Sequence, residues 1–323
     1  MASPRALIFG VTGQDGAYLS RSLMGAGYEV HGASRSADNA DLNNLRHVGT
    51  ADAVQLHSTT LTDALSVQRV IEAVEPSEIY NLAGQSSVGK SFLAPRETVE
   101  GIVSSTLNIL EVVRHHGARL RFYNAGSSEA FGNTASPANE QNRFEPRSPY
   151  GVAKAAAFWM VRNYRESYGL QVCSGILFNH ESPLRPGHFV TQKVVRGALD
   201  IAEKSQEKLH MGDLSTVRDW GWAPEYVEGM RLMLDHGARD DFVIASGRPA
   251  KLETFVQHVF QKLDLDWHDY VVEDPSFKRP LDITLSVGDP AKAEKLLEWK
   301  ATTTLPMIAE QLIKAEVERR IGG

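Results

Sequence analysis

The chain has 323 residues, of which 42% are hydrophobic and 23% charged, and its formal net charge is −6. This length accommodates one large domain or two unequal lobes, and the composition is that of a globular protein rather than a disordered or fibrous one. The acidic balance argues against a general nucleic-acid binder, because such proteins neutralise phosphates with a basic face. The single cysteine, Cys173, allows no intramolecular disulfide and no cysteine-ligated metal cluster, and no run approaches the ~18 apolar residues of a membrane span. We expect a cytoplasmic protein without nucleic-acid, membrane or metal partners.

Short apolar runs alternate with segments of helical periodicity along the first half of the chain. Strands are predicted at residues 6–9, 28–33, 53–57, 78–82, 121–125 and 171–178, and helices at residues 16–24, 66–74, 98–115 and 150–168. Alternation of this kind is typical of a parallel sheet with helices on both faces. Since parallel crossovers are right-handed, the predicted fold class is α/β, with a Rossmann-type doubly wound parallel sheet.

The alternation becomes irregular after Asn179. A proline-marked loop covers residues 181–187, and short helices mixed with isolated strands such as residues 241–245 follow it. We interpret residues 1–178 as a dinucleotide-binding domain, with a return segment near 218–246. Residues 179–323 are predicted to form a smaller, mixed C-terminal lobe that binds the substrate.

A glycine-rich loop, Gly10-Val-Thr-Gly13-Gln-Asp-Gly16, follows the first predicted strand and opens the first predicted helix. In such loops the first glycine permits a tight turn, the second lets backbone amides approach a pyrophosphate, and the helix dipole favours the anion. We therefore predict a dinucleotide site here that includes Gly10, Gly13, Gln14, Asp15 and Gly16.

Two further strand ends extend the predicted nucleotide site. Arg35, between two serines after the second strand, would suit a ribose 2'-phosphate and favours NADP, although Asp38 nearby would suit NAD. After the fourth strand, the segment 81–87 has small residues, including Leu82 and Ala83, past which a cofactor backbone could run. The same stretch would also suit an ordinary tight turn.

Tyr150 and Lys154 lie four residues apart in a predicted helix, so their side chains share one face. An ammonium near a phenol favours the ionised phenol, which suits an enzyme that takes a proton from a hydroxyl group while a hydride leaves. Ser127 and Glu129 follow the fifth predicted strand, at the edge of the sheet where ligands bind in this architecture. Taken singly, these pairs would suit a surface helix and a helix cap with a solvated carboxylate, but their order after the glycine loop favours catalysis.

Longer segments carry a resemblance to a known family; they are Gly13–Leu19, Pro146–Lys154, Gly175–Pro183, Phe189–Lys193 and Arg218–Gly221. With them the chain resembles, nearly from end to end, the GDP-mannose 4,6-dehydratases, a family of extended short-chain dehydrogenases/reductases. The resemblance implies catalytic Ser127, Glu129, Tyr150 and Lys154, a nucleotide site in which Tyr150, Lys154 and His180 also take part, and a GDP-sugar site of Ser87, Asn179, Lys193, Arg218 and Arg279. Without it, the cationic members would suit ordinary surface ion pairs.

The resemblance also implies a reaction, the conversion of GDP-mannose to GDP-4-keto-6-deoxymannose on an NADP cofactor that is oxidised and reduced within one turnover. Tyr150 would take the C4 hydroxyl proton, with its pKa lowered from ~10 toward neutrality by Lys154. Glu129 would remove the C5 proton, and water would leave C6 with help from Glu129 or Ser127. A homodimer or homotetramer is expected.

The chain departs from the family pattern at a few positions. Thr60 stands where the family commonly has aspartate, Asp282 where it tends to have glutamate, and Gly126 where it has serine. The last change makes Gly126-Ser-Ser-Glu129 similar to the neighbouring GDP-4-keto-6-deoxymannose reductases. A reductase that consumes NADPH, a dehydratase for a related sugar such as a GDP-heptose, and a non-catalytic nucleotide sensor are therefore the alternatives.

Overall fold

The computed structural model describes residues 3–277 and 281–322. Its strands are β1 (Arg5–Phe9), β2 (Glu29–Ser34), β3 (Gln55–Ser58), β4 (Glu78–Asn81), β5 (Arg121–Ala125), β6 (Val172–Leu177), β7 (Asn179–Glu181), β8 (Leu209–Met211), β9 (Val217–Trp222), β10 (Phe242–Ile244), β11 (Pro249–Lys251), β12 (Val271–Glu273) and β13 (Leu285–Ser286). Its α-helices are α1 (Gln14–Gly25), α2 (Asn43–His47), α3 (Ala64–Val74), α4 (Val88–Leu93), α5 (Pro95–Val99), α6 (Ser105–His116), α7 (Pro149–Tyr168), α8 (Val190–Ala202), α9 (Ala223–Asp235), α10 (Leu252–Gln261), α11 (Ala291–Leu297) and α12 (Leu305–Gly322). In these described residues no helix is long and apolar enough to cross a membrane.

The main sheet has seven parallel strands in the order β10-β6-β5-β4-β1-β2-β3. The chain therefore runs outward from β1 to one edge, returns, and runs from β4 to the other edge. The predicted doubly wound α/β class is confirmed. Because the order reverses between β1 and β4, a crevice opens at the carboxyl ends of these two strands, and the site lies there.

The main sheet is buried on both faces. Ala6 and Ile8 of β1 face a cluster that contains α1 and α9, whereas Leu7 and Phe9 face a second cluster that contains α3 and α6. This alternation follows from the two-residue period of a strand. Fully burying each large apolar side chain contributes about 1.5–3 kcal/mol relative to leaving it exposed, so β1 is a stable base for the loop that follows it.

The C-terminal half builds a second core around a smaller sheet. In that sheet β9 pairs with β7, β11 and β13. Helices α8, α10 and α12 pack over it in a separate hydrophobic cluster. The chain crosses back through α9, which packs on the α1 side of the main sheet, and β10, which is the edge strand beside β6. The strand predicted at residues 241–245 thus belongs to the main sheet, while β9 lies in the smaller one.

The buried carboxylate of Asp219, in β9, connects the two sheets. It accepts hydrogen bonds from the backbone N–H groups of Ser246 and Gly247, just after β10, at 2.7 and 2.9 Å. Burial raises the pKa of this carboxyl group, and these hydrogen bonds oppose the shift. The connection fixes the position of β9, in which Arg218, the residue before Asp219, lines the cleft.

The long helix predicted at residues 98–115 is interrupted. A π-helical turn at Glu100–Ser104 separates α5 from α6. The turn places Ile102 in a small buried cluster with Tyr150 and Ala153 of α7. Helical periodicity alone does not reveal such a turn, because the inserted residue leaves the apolar spacing on either side nearly unchanged.

Candidate active site

One cleft of about 560 Å³ opens at the carboxyl ends of the main-sheet strands and extends to the smaller sheet. Every predicted site residue within the described part of the chain lines it, except Arg35; these residues are Gly10, Gly13, Gln14, Asp15, Gly16, Leu82, Ala83, Ser87, Ser127, Glu129, Tyr150, Lys154, Asn179, His180, Lys193 and Arg218. Arg35 is exposed on the surface after β2. Arg279 lies outside the described residues.

The glycine loop is shaped by close backbone contacts. Gly10 has φ +85°, and a Cβ there would lie 2.9 Å from the backbone nitrogen of Ala83. A Cβ on Gly16 would lie 2.3 Å from the carbonyl oxygen of Gly10. Gly13 is the N-cap of α1 and brings no side chain to cap the first turn. The first turn of a helix thus faces the cleft across a bare backbone surface, an arrangement that fits the pyrophosphate of a dinucleotide.

The catalytic candidates Ser127, Glu129, Tyr150 and Lys154 meet at the end of β5. The Ser127 hydroxyl accepts a hydrogen bond from the backbone N–H of Glu129 at 3.3 Å, and it acts on the Tyr150 phenol by lowering its pKa. Lys154 donates its ammonium to the carbonyl oxygen of Ala125 at 2.7 Å, and its Nζ lies 5.8 Å from the centre of the Tyr150 ring. The structure therefore brings the predicted quartet together.

Gly151 explains how Glu129 reaches this group. A Cβ at Gly151 would lie 2.6 Å from the carbonyl oxygen of Glu129. The absence of a side chain lets the short helical turn at Ser128–Ala130 pack directly on α7. Glu129 consequently sits close enough to Tyr150 for its charge to act on the phenol.

The pKa values of the tyrosine–lysine pair differ from the sequence-based expectation. The pKa of Tyr150 is raised to about 12, chiefly by burial and also by the Glu129 carboxylate, while the Ser127 hydroxyl and Arg185 oppose the shift. Burial lowers the pKa of Lys154 to about 8, and the Asp15 carboxylate opposes that shift. The pKa of Tyr150 is thus raised in this structure, whereas the sequence predicted that Lys154 would lower it, because desolvation is the largest cause and the Lys154 ammonium donates to a backbone carbonyl oxygen.

The partly buried carboxylate of Asp15 and the buried imidazole of His180 contact each other in the cleft. The Nε2 atom of His180 lies 3.1 and 3.0 Å from the two carboxylate oxygens of Asp15. Burial would lower the pKa of His180, but the Asp15 charge and hydrogen bond outweigh it and raise that pKa. Burial would likewise raise the pKa of Asp15, yet His180, followed by Gln14 and Arg185, lowers it.

The residues predicted to hold the GDP-sugar come from several elements. Asn179 begins β7 and is paired with Trp220 of β9. The Lys193 ammonium, on α8, lies 3.8 Å from the centre of the Phe277 ring, and burial lowers its pKa. Arg218 donates to the carbonyl oxygen of Val217 at 3.0 Å. These side chains place an amide and two cations at the end of the cleft away from the glycine loop.

Two more predicted residues have neighbours that bear on their roles. The Arg218 guanidinium lies 3.6 Å from the Asp282 carboxylate. Ser87 is the N-cap of α4, and its hydroxyl accepts a hydrogen bond from the backbone N–H of Lys90 at 3.3 Å. Asp282, the residue that differs from the family's usual glutamate, therefore belongs to the same charged end of the cleft.

Sequence reasoning missed Arg185. This residue lines the cleft, and its guanidinium lies 4.1 Å from the centre of the Phe189 ring. It donates to the carbonyl oxygen of His180 at 2.9 Å and pairs with the Glu181 carboxylate at 3.1 Å. The available signal was a cation directly after the Gly175–Pro183 segment, inside a stretch interpreted only as a proline-marked loop.

Comparison with known proteins decides the family. The family model described as GDP-mannose 4,6 dehydratase matches residues 7–312. The chain belongs to the GDP-mannose 4,6-dehydratase family. Within this family, GDP-mannose 4,6 dehydratase 2 of Arabidopsis thaliana is 42% identical over 323 residues, which cover 97% of this chain and 87% of the relative. The predicted family is thereby confirmed.

Solved structures of other proteins share the fold. DesIV, a dTDP-glucose 4,6-dehydratase from Streptomyces venezuelae, superposes with a TM-score of 0.86 at 23% identity and covers 98% of both chains. RMD from Pseudomonas aeruginosa superposes with a TM-score of 0.80 at 21% identity, covering 97% of this chain and 99% of that one. At these identities the likeness concerns the fold.

The Gly126 departure from the GDP-mannose 4,6-dehydratase pattern has a local cause. Its backbone N–H donates to the carbonyl oxygen of Gly175 at 2.8 Å, and a Cβ at Gly126 would lie 2.9 Å from that same oxygen. Serine at this position would require β6 to shift. The glycine thus reflects the close approach of two strands, while the Ser127 and Glu129 side chains keep their places in the cleft.

Proposed function

We propose that this chain converts GDP-mannose to GDP-4-keto-6-deoxymannose with the release of water. The observation that carries the proposal is the convergence of Ser127, Glu129, Tyr150 and Lys154 on one cleft. A bare helix N-terminus suited to a dinucleotide lies at one end of that cleft, and the cations Lys193 and Arg218 lie at the other. Membership of the GDP-mannose 4,6-dehydratase family supports the same substrate.

In the first proposed step, Tyr150 takes the proton of the C4 hydroxyl group of the sugar. The Ser127 hydroxyl, which opposes the rise in the Tyr150 pKa, orients the phenol and the C4 hydroxyl group toward each other. Burial disfavours both the phenolate of Tyr150 and the ammonium of Lys154. A phenolate formed in this step would be stabilised by an ammonium on the same helix face. The redox chemistry, removal of hydride from C4 and its return to C6, is what a nicotinamide nucleotide supplies when bound.

In the second proposed step, Glu129 acts as both base and acid. The C4 ketone acidifies the C5 hydrogen, and the Glu129 carboxylate takes that proton. The C5–H electron pair forms the C5–C6 double bond as the C6 hydroxyl leaves, and the newly protonated Glu129 supplies the proton that turns it into water. The proton that Tyr150 took from the C4 hydroxyl group, which exchanges with solvent, is then delivered to C5 as C6 is reduced, so the protons balance over one turnover.

We infer NADP rather than NAD from Arg35. Its exposed guanidinium follows β2, and the neighbouring Ser34 hydroxyl donates to the carbonyl oxygen of Ser36 at 2.8 Å, which keeps this turn compact. The structural neighbours differ, since DesIV was solved with NAD and RMD with NADPH. Arg35→Ala should weaken NADP binding about tenfold or more and NAD binding little, because charge-assisted hydrogen bonds contribute about 1.5–3 kcal/mol. Arg69→Ala, which removes an exposed cation on α3, is the control, and equal losses for both nucleotides would remove the NADP assignment.

One assay separates the dehydratase from the alternatives. The purified protein is incubated in heavy water with GDP-mannose or a GDP-heptose, without added NADPH, and the products are identified by mass. The expected product has lost water and carries one solvent deuterium at C5. Turnover that requires and consumes NADPH would indicate a reductase, and absence of turnover with every GDP-sugar would indicate a sensor.

We further propose a homodimer or homotetramer. Apolar side chains are exposed on neighbouring helices: Leu93 of α4 is 87% exposed, Trp159 of α7 53% and Val152 of α7 50%. Large apolar side chains grouped on helices of one face are typical of subunit contacts. The double substitution Val152→Glu and Trp159→Glu should convert the oligomer to a monomer in light scattering, and an unchanged mass would place the contact elsewhere.

A further inference from the structure

The Asp15–His180 pair joins residues 165 positions apart in sequence. The Nδ1 atom of His180 lies 2.7 Å from the carbonyl oxygen of Phe178, and Nε2 lies 3.1 and 3.0 Å from the Asp15 carboxylate oxygens. A carbonyl oxygen and an ionised carboxylate only accept hydrogen bonds, so both ring nitrogens donate. His180 is therefore an imidazolium whose two N–H groups are both used inside the protein.

A second contact runs beside the first. Ser182 donates its hydroxyl to the side-chain oxygen of Gln14 at 2.8 Å. The Gln14 amide nitrogen lies 2.9 Å from the Asp15 carboxylate and 3.4 Å from the carbonyl oxygen of His180. Gln14 and Asp15, the first two residues of α1, thus form hydrogen bonds with His180 in β7 and with Ser182 just after it.

The orientation of the His180 ring is also fixed by an aromatic ring that covers one of its faces. The ring stacks on Tyr226 of α9, with centres 4.6 Å apart and planes 25° from parallel. Tyr226 can lie there because Gly221 has no side chain, since a Cβ at Gly221 would be 2.2 Å from the Tyr226 ring. Tyr226 in turn meets Trp299 edge to face at 5.6 Å. With its nitrogens bonded and one face covered, His180 has little freedom to turn toward a ligand.

We propose that Asp15 and His180 are positioning residues, an ion pair that fixes the glycine loop against the strand carrying Asn179 and so sets the spacing between dinucleotide and sugar. The role rests on the proposed function, and it concerns two side chains that the sequence already places in the nucleotide site. Asn179 directly precedes His180 in β7, while Asp15 directly precedes Gly16 of the loop. A change of about 1 Å in such a spacing lowers turnover by as much as about 100-fold.

A double-mutant cycle tests whether the two residues act as one unit. Asp15→Asn, His180→Gln and the double variant keep side chains of similar shape that can still form a hydrogen bond. Each single variant should lower kcat about 10- to 100-fold, while the dissociation constant of the nucleotide changes by less than about threefold. The double variant should fall no more than about threefold below the slower single variant, because the second change removes nothing further. Losses that multiply, or a nucleotide dissociation constant that rises tenfold at unchanged kcat, would overturn the proposal in favour of separate cofactor contacts.

A second measurement does not depend on activity. In the full-length protein stripped of nucleotide and labelled with ¹⁵N-histidine, His180 should show two protonated ring nitrogens at pH 8, identified by their loss in His180→Gln. Asp15→Asn should convert it to the neutral form with the proton on Nδ1, and hydrogen exchange of the β7 amides should accelerate in both single variants. A neutral His180 in the parent protein at pH 8, or β7 exchange unchanged in both variants, would contradict the ion pair. Two substitutions of exposed residues, Asp52→Asn and His115→Gln, are the controls, and each should leave the His180 signals unchanged.

These results separate two kinds of failure. If the parent protein turned over no GDP-sugar while the His180 signals and the exchange rates behaved as expected, the proposed function would fail and the ion pair would stand. If the parent dehydrated GDP-mannose but the two losses multiplied, the proposed function would stand and the positioning role would fail.

Discussion

The two ends of the cleft are built in different ways. At the dinucleotide end the chain leaves side chains out, since Gly10 and Gly16 pack backbone against backbone and Gly13 leaves the helix end bare. At the sugar end the chain supplies side chains, since Asn179, Lys193 and Arg218 come from β7, α8 and β9. A substitution at the first end should therefore damage the fold of the loop, and one at the second end should change affinity with the fold intact. The catalytic quartet lies between them, and there a substitution should chiefly lower turnover.

The largest loss of turnover is expected in the catalytic quartet, between the two ends of the cleft. Tyr150→Phe removes the proposed proton acceptor but keeps the ring that packs with Ile102 and Ala153. Turnover should fall by about 10³-fold or more, because general base catalysis contributes about 10²–10⁴-fold. The dissociation constant for GDP-mannose, measured by calorimetry, should stay within about threefold. Activity within tenfold of the parent would show that another residue takes the C4 proton.

Glu129→Gln should give the next largest loss, about 10²–10³-fold in the formation of 6-deoxy product. The amide keeps the shape of the site next to Gly151 but cannot accept the C5 proton. In heavy water, GDP-mannose recovered after long incubation with this variant should carry no deuterium at C5. The 6-deoxy product should form about 10²–10³-fold more slowly than with the parent protein. Dehydration at the parent rate would exclude Glu129 as the elimination base.

At the dinucleotide end, Gly16→Ala tests the backbone contact. Its Cβ would lie 2.3 Å from the Gly10 carbonyl oxygen, so the loop must move, at a cost of about 1–3 kcal/mol in the free energy of unfolding. Thermal unfolding should show a lower Tm, and nucleotide binding should be lost with it. Gly25→Ala, in the same helix but with nothing within 4 Å of the new Cβ, is the matched control and should leave both unchanged or raise the Tm. Equal behaviour of the two variants would mean that the loop tolerates side chains.

At the sugar end, Arg218→Gln should raise the KM for GDP-mannose by about 10- to 100-fold, which corresponds to the 1.5–3 kcal/mol of a charge-assisted hydrogen bond. The Tm and kcat should change little, because the lost partner Asp282 is partly exposed and can be solvated. Lys251→Gln, an exposed cation on the adjacent strand β11, is the control. A loss of kcat or of Tm comparable to that of Gly16→Ala would remove the contrast between the two ends.

Local patterns were sufficient to predict much of the dinucleotide half. Residues 6–9 form a continuous apolar run because β1 is buried on both faces, and the shortness of this run before Gly10 favours a strand. The glycine spacing was equally informative, since the tight contacts of Gly10 and Gly16 leave no alternative residue. The Tyr150–Lys154 spacing correctly placed two side chains in one cleft.

Long-range packing decided the rest. Neither the burial that raises the Tyr150 pKa nor the hydrogen bond from Lys154 to Ala125 follows from a four-residue spacing. The π-helical turn at residues 100–104 depends on how Ile102 packs against α7. In the C-terminal half, the smaller sheet is assembled from strands of two to six residues, which are too short for periodicity to reveal.

The smallest expected effect is a shift in the pH dependence of kcat/KM, which a substitution at the dinucleotide end should cause and one at the sugar end should not. Burial lowers the pKa of Lys154 to about 8, so its ammonium loses its proton as the pH rises through that value. If the proposed first step needs the ammonium, kcat/KM for GDP-mannose should fall about tenfold per pH unit above pH ~8. Asp15→Asn should move this alkaline limb to lower pH, because the Asp15 carboxylate raises the Lys154 pKa, whereas Arg218→Gln should leave the limb in place. The same titration should raise the free energy of unfolding as the pH increases, while kcat/KM falls. Between pH ~8 and ~10.5 the unfolded lysine binds more protons than the folded one, so this group makes the free energy of unfolding rise with pH over that window. Profiles of kcat/KM from pH 6 to 10 test the assignment, and an alkaline limb that stays in place in Asp15→Asn would show that Lys154 is not the titrating group.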